Sequence, residues 1–235
     1  MSNQPHQLPL SVHLRSDAKL ERFVDASCSA LCSALKAVSE GVGDEQIVYL
    51  YGLPLTGRSY LLQAVCNTAE ALGREAIYIP LTQRHELSVD MLEGLDQFDV
   101  VCIDDVDSIS GLNDWQESVF HLFNRLRDGG KTLIVAGSEA PKHLPLELLD
   151  LKSRLGWGLV FKLEPLSDEL KVLVLKQEAT ARGLVLGDDL ARYLLNHGSR
   201  DLGTQFQYIE QLDRASLQAQ RKLSIPFAKE VLNWN

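Results

Sequence analysis

Gly52-Leu53-Pro54-Leu55-Thr56-Gly57-Arg58-Ser59 is the stretch whose reading decides the fold of this 235-residue chain. It fits the pattern G-x-x-x-x-G-[K/R]-[S/T]. An apolar run, Ile47 to Tyr51, precedes it, and a stretch with helical spacing, Ser59 to Leu72, follows and stops at Gly73. Strand, glycine loop and helix in that order are the context a phosphate-binding loop requires. The glycines let backbone N–H groups approach an anion closely, and the helix N-terminus adds positive potential. Leu53, Pro54, Leu55, Thr56, Gly57, Arg58, Ser59 and Tyr60 are therefore the expected nucleotide contacts, with the Ser59 hydroxyl on Mg²⁺. One residue departs from the pattern. Lysine usually stands where Arg58 stands, and it delivers a compact charge to the β/γ-phosphates. The planar guanidinium has a different reach, so the exchange is not conservative. Binding through the loop backbone is still expected, whereas efficient hydrolysis by this chain alone is not.

Working outward, Val100-Val101-Cys102-Ile103-Asp104-Asp105 reads as an apolar strand that carries a carboxylate to the edge of a sheet, about 45 residues after the loop. Asp104 is expected to hold Mg²⁺ through water, and Asp105 to lie where a water-activating carboxylate lies. A further run ends Ala136-Gly137-Ser138, which puts Ser138 in position to sense a γ-phosphate.

The remaining pattern is an alternation of strands and helices. Ile47–Tyr51, Ala76–Leu81, Val100–Ile103, Thr132–Ala136 and Leu159–Leu163 are five short apolar runs. Helical spacing separates them, as at Val119, Leu122, Phe123 and Leu126. Such alternation predicts an α/β fold, a five-stranded parallel sheet flanked by helices. Residues 17 to 40 read as one helix ended by Gly41 and Gly43. From Ser167 no strand-like run remains. Helices are predicted to Gly183, over Asp188–His197, over Asp201–Arg221 and from Pro226, an all-α second domain. The expected division is a polar tail over 1–16, a nucleotide-binding domain over 17–165 and a helical domain over 166–235.

Composition narrows the function classes. The net charge is −9, so strong direct DNA binding is not expected of a chain that on average repels phosphate backbones. Four cysteines, Cys28, Cys32, Cys66 and Cys102, lack the second Cys/His pair of a zinc site and read as buried thiols. No run approaches the length of a membrane span, and the N-terminus MSNQPHQLPL lacks a secretory signal pattern, so a cytoplasmic location is expected.

Taken in order, the loop, the IDD strand, a strand with a polar tip, then Ser153-Arg154-Leu155-Gly156-Trp157-Gly158 and a helical tail resemble the DnaA-like AAA+ family of replication proteins. Leu163 to Glu169, Gln211 to Ser216 and Gln220 to Phe227 look like its regulatory branch, which inactivates the initiator DnaA, rather than the initiator itself. The resemblance covers nearly the whole chain. It implies a P-loop ATPase fold with a C-terminal lid. Leu151–Gly158 is similar to the family's box VII, so Arg154 would be an arginine finger acting in trans on ATP-bound DnaA. Gln7-Leu8-Pro9-Leu10 looks like a peptide that docks on the sliding clamp of the replicative polymerase, through Gln7, Leu8 and Leu10. Leu20, Phe23 and Val24 match the segment that packs the base. The family's sensor-2 arginine falls on Gly203, with Arg200 one turn away as a substitute. The chain ends where the lid ends, so the initiator's DNA-reading domain is expected to be absent. The resemblance thus implies an inhibitor of replication initiation that binds ADP or ATP with Mg²⁺, a diphosphate in preference. Its expected partners are DnaA and the clamp, with self-association left open. Two other readings compete: an autonomous ATPase remodeller, and a DnaA paralogue that helps assembly at origins.

Overall fold

The computed structural model describes residues 18–23, 29–42, 45–200 and 202–234. Its sheet consists of β1 (Ile47–Gly52), β2 (Ala76–Pro80), β3 (Val100–Asp104), β4 (Thr132–Gly137) and β5 (Leu159–Leu163). The strands lie in the order β2-β3-β4-β1-β5, and every pairing is parallel. The five runs predicted from sequence are these five strands. Val100–Asp104 and Thr132–Gly137 are buried along their whole length, as near-continuous apolar strands covered on both faces must be. β5 is an edge strand, and it alternates between half-buried and exposed until Leu163. Register aligns the carboxyl ends: Tyr51 pairs with Gly137, and Ile103 with Val135, so Gly52, Asp104 and Gly137 finish at one edge.

Helices α1 (Ser29–Glu40), α2 (Arg58–Ala71), α3 (Asn113–Asp128) and α4 (Leu149–Leu155) accompany the sheet. On one face Tyr49, Ile103, Val135 and Leu133 pack with Val119, Leu122, Phe123 and Leu126 of α3. The single helix expected over residues 17–40 is not formed. Among the described residues Leu20–Arg22 is one 3₁₀ turn, Phe23 lies outside it, and α1 covers Ser29–Glu40. The physical reason lies in α2: the Ala18 carbonyl accepts from Asn67 Nδ2 at 2.9 Å, and the Lys19 N–H and C=O both meet the Tyr60 hydroxyl at 3.1 Å. Backbone groups that a helix would pair internally are used there instead. Five segments escaped the sequence reading: 3₁₀ helices at Leu81–Glu86, Val89–Gln97, Val106–Ile109 and Pro141–His143, and α4. They are too short or too tightly wound to show a 3.6-residue period.

The chain falls into two compact units. One holds the described residues to Leu20 and from Ser29 to Glu164; the other holds Glu21 to Phe23 and everything described from Pro165 on. In the second, α5 (Asp168–Ala181), α6 (Asp188–His197), α7 (Leu202–Ala219) and α8 (Ile225–Leu232) follow one another. Ser167 caps α5 and Ser224 caps α8, each accepting a backbone N–H in the first turn. Leu175, Leu190, Leu194, Ile209, Leu212 and Phe227 form its buried interior. Among the described residues no helix is long and apolar enough to cross a membrane.

Candidate functional site

The glycine loop leaves β1 at a point where no side chain fits. A Cβ on Gly52 would lie 2.4 Å from the Leu163 carbonyl oxygen. Thr56 is buried and its hydroxyl donates to the Leu53 carbonyl at 2.9 Å, closing the loop on itself. Gly57 takes the left-handed conformation at φ 94°, and Leu55 does so at φ 71°. For a leucine this costs about 1–2 kcal/mol, the kind of backbone strain that tends to be held at functional sites. Helix α2 then starts at Arg58, with the Leu61 N–H bonded to the Gly57 carbonyl at 2.9 Å. The first turn of a helix points its backbone N–H groups outward along the axis, and this one, opening at Arg58 and Ser59, suits an anion.

Beside the loop lies a cluster of carboxyl groups. Arg58 is buried and donates from Nη2 to Asp105 Oδ1 at 3.2 Å. Its other terminal nitrogen, Nη1, is buried without a hydrogen-bond partner. Asp105 sits in a left-handed backbone conformation, φ 52°. Burial and then the charge of Asp104 push its carboxyl up to about 6, against the opposing pull of Arg58. Asp104, fully buried at the end of β3, accepts from the Tyr78 hydroxyl at 2.7 Å and from the Asp105 N–H at 3.0 Å. The side chains of Ser59 and Gln63 hydrogen-bond the same hydroxyl. Burial and Asp104 together hold Tyr78 well above the ordinary tyrosine value. Ser59 and Asp104, the two residues read from sequence as metal-facing, are thus joined through Tyr78, which the sequence reading had not singled out. Its signal was a lone tyrosine in the middle of an apolar strand. Ser138 stands at the tip of β4, where its N–H donates to Asp107 Oδ1 at 2.8 Å; Asp107 too had gone unnoticed.

These groups fit a phosphorylated ligand. An orphaned, buried guanidinium nitrogen is a donor waiting for an acceptor, and the N-terminus of α2 beside it adds positive potential. The Ser59 hydroxyl and the Asp104 carboxyl supply only oxygens, a donor set for a hard cation such as Mg²⁺ that keeps much of its water.

Arg154 lies on the last turn of α4. Its guanidinium carbon is 4.8 Å from the centre of the Phe120 ring and 4.7 Å from that of Trp157. Nε and Nη1 are buried and have no hydrogen-bond partner. Among the described residues no ion pair joins Arg154 to Asp150, the carboxylate one turn back, although other arginines such as Arg125 and Arg127 are paired.

The other expected contacts are scattered. Leu20 is buried in the first unit and Phe23 is half-buried in the second. Arg200 forms an exposed ion pair with Asp168, and Gly203 occupies the first turn of α7. Val24, Gln7, Leu8 and Leu10 lie outside the described residues.

Residues 14–162 match the family described as the bacterial DnaA ATPase domain, and residues 168–232 match the one described as Hda, lid domain. A Haemophilus influenzae protein described as uncharacterised is 40% identical over 228 residues, 97% of this chain and 98% of that one. Domain III of Thermotoga maritima DnaA superposes with a TM-score of 0.77 at 24% identity, covering 94% of this chain and 98% of that domain. AMPPCP-bound DnaA from Aquifex aeolicus gives 0.67 at 24% identity, over 88% of this chain and 69% of the other. RuvB of Thermotoga maritima gives 0.67 at 14% identity, over 94% and 73%. At these identities the structural likenesses speak for the fold.

Proposed function

The chain belongs to the DnaA-like AAA+ family, with a lid of the Hda type, and on that footing we propose that it is a regulator of replication initiation that acts on ATP-bound DnaA. The observation that carries this reading is the state of Arg154. A guanidinium with two desolvated nitrogens and no carboxylate partner is costly to hold, and a phosphate anion supplied by a partner would offset that cost. Placed in the nucleotide site of a neighbouring DnaA, it would stabilise the charge that develops during phosphoryl transfer. Fingers of this kind contribute roughly 10³–10⁵ in rate.

The chain's own loop serves to hold a nucleotide, ADP in preference. Arg58, Ser59, Tyr60 and Gly57 would meet its phosphates, and Ser59 with Asp104 would hold Mg²⁺, whose chemistry there is to bridge and neutralise phosphate charge. A carboxyl group raised to about 6 has the proton affinity of a general base, but Asp105 Oδ1 is committed to Arg58. Own turnover is therefore weak, and the nucleotide acts chiefly on conformation. The segment Gln7-Leu8-Pro9-Leu10 would tether the protein to the sliding clamp, with Leu8 and Leu10 as apolar anchors.

The test is hydrolysis by ATP-bound DnaA in the presence of clamp loaded on DNA. This protein accelerates it, Arg154→Ala abolishes the acceleration without unfolding the chain, and Leu8→Ala with Leu10→Ala removes the dependence on clamp. Absence of acceleration by the wild type would sink the reading. So would robust turnover by the protein alone that Asp105→Asn abolishes, which is the signature of an autonomous ATPase.

A further inference from the structure

Trp157 is 57% exposed, a large aromatic ring that gains little from burial. Its backbone is nonetheless pinned on both sides. The Trp157 N–H donates to the Arg154 carbonyl at 3.0 Å, and Gly158 packs so tightly that a Cβ there would lie 2.0 Å from the Ile47 carbonyl oxygen. The ring itself meets Phe123 edge to face, centroids 6.2 Å apart, and Phe123 is fully buried in the core. A surface ring held this firmly is positioned for what lies on it, and two guanidiniums do. Arg127 is 5.5 Å from its centre, and Arg154 is 4.7 Å away. They differ in one respect. Arg127 gives Nε and Nη2 to Asp128 Oδ1, at 3.0 and 2.7 Å, so a carboxylate answers its charge. Arg154 has rings in that place, Trp157 and Phe120.

We propose that Trp157 is a positioning residue for Arg154. Aromatic faces attract a cation without neutralising it. They fix the guanidinium in one place, keep water from two of its nitrogens and leave its charge available to a partner's bound nucleoside triphosphate. A carboxylate in the same place would fix the arginine but would compete with the phosphate. The inference rests on the reading that Arg154 acts in trans.

The experiment compares Trp157→Leu, Trp157→Phe and wild type in the hydrolysis assay with ATP-bound DnaA and loaded clamp. Leucine keeps bulk and loses the aromatic face; phenylalanine keeps the face. Trp157→Leu lowers the maximal rate about ten-fold, the scale a single cation–aromatic contact carries, and leaves the half-saturating concentration within about two-fold. Trp157→Phe restores most of the rate. An unchanged maximal rate in Trp157→Leu overturns the proposal, as does a loss confined to the half-saturating concentration. A second measurement stands apart from hydrolysis: the ¹⁵N-resolved Nε–H of Arg154. In the wild type it is ring-current shifted and exchanges slowly with water, and in Trp157→Leu it is neither. If the wild type accelerates nothing while this resonance is shifted and protected, the finger reading falls and the positioning of the guanidinium stands. An unshifted, freely exchanging Nε–H in the wild type overturns the positioning itself.

Discussion

Replacing Asp105 with asparagine should make the protein more stable at neutral pH, although it deletes one partner of a partly buried ion pair. The carboxyl of Asp105 is raised from 3.8 to about 6, chiefly by burial and next by Asp104. Because the folded value lies above the unfolded one, the native state binds the proton more tightly. That contribution is fully present below pH 3.8 and is lost as pH rises through about 6. Above pH 7 the wild type therefore carries an ionised group that the fold disfavours. Roughly two units at 1.36 kcal/mol each give a cost of about 3 kcal/mol. The side chain is 27% exposed, and asparagine gives up the charge facing Arg58, so about 1–2 kcal/mol is the expected net gain. For a chain of this size that is a rise of roughly 2–8 °C in melting temperature. Thermal denaturation followed by circular dichroism, with EDTA present, checks it between pH 4 and 8. The gap between variant and wild type should be widest above pH 7 and close toward pH 4. A wild type at least as stable at pH 7.5, or a gap that does not change with pH, would refute the reasoning.

Three other outcomes follow from the same geometry. Tyr78→Phe removes a donor from the buried carboxyl of Asp104 and should cost about 1.5–3 kcal/mol in urea denaturation, with weaker Mg²⁺-dependent nucleotide binding by calorimetry. Gly158→Ala drives a Cβ into the Ile47 carbonyl; the edge strand β5 should detach, lowering stability by about 2–4 kcal/mol and opening the amides of Leu159–Leu163 to hydrogen exchange. Arg58→Ala leaves Asp105 without its ion-pair partner, so ADP affinity should fall about ten-fold or more in equilibrium titration while the fold persists; unchanged affinity would show that the loop backbone binds alone.

Much of the fold was legible because its signals are local. Each strand is a short apolar run, and all but β2 have a glycine or aspartate at one end or the other; lid helices carry their own stops or caps, as at Gly183, Ser167 and Ser224. Where the local signal was incomplete the reading failed. Leu20, Phe23 and Val24 have helical spacing, but from Asp25 to Ala30 no large apolar residue continues the stripe, and Asn67 and Tyr60 claim the backbone before it. The 3₁₀ segments between β2 and β3 have too few residues per face to declare a period.

The site divides along the same line. Gly52 to Ser59 and Val100 to Asp105 identified themselves, because glycine spacing and a carboxylate after an apolar run are properties of consecutive residues. By itself the sequence determined a P-loop sheet protein whose loop carries arginine in place of lysine, with Arg154 as its other notable cation. The tertiary structure decided what those two arginines touch. Arg58 meets Asp105 across 47 residues, Tyr78 joins Ser59 to Asp104 because β2 lies beside β3, and Arg154 rests on rings from α3 and from the turn before β5. A guanidinium looks the same in any sequence. Whether its charge is answered by a carboxylate or merely held by aromatic faces depends on neighbours that only the packing of distant segments brings together.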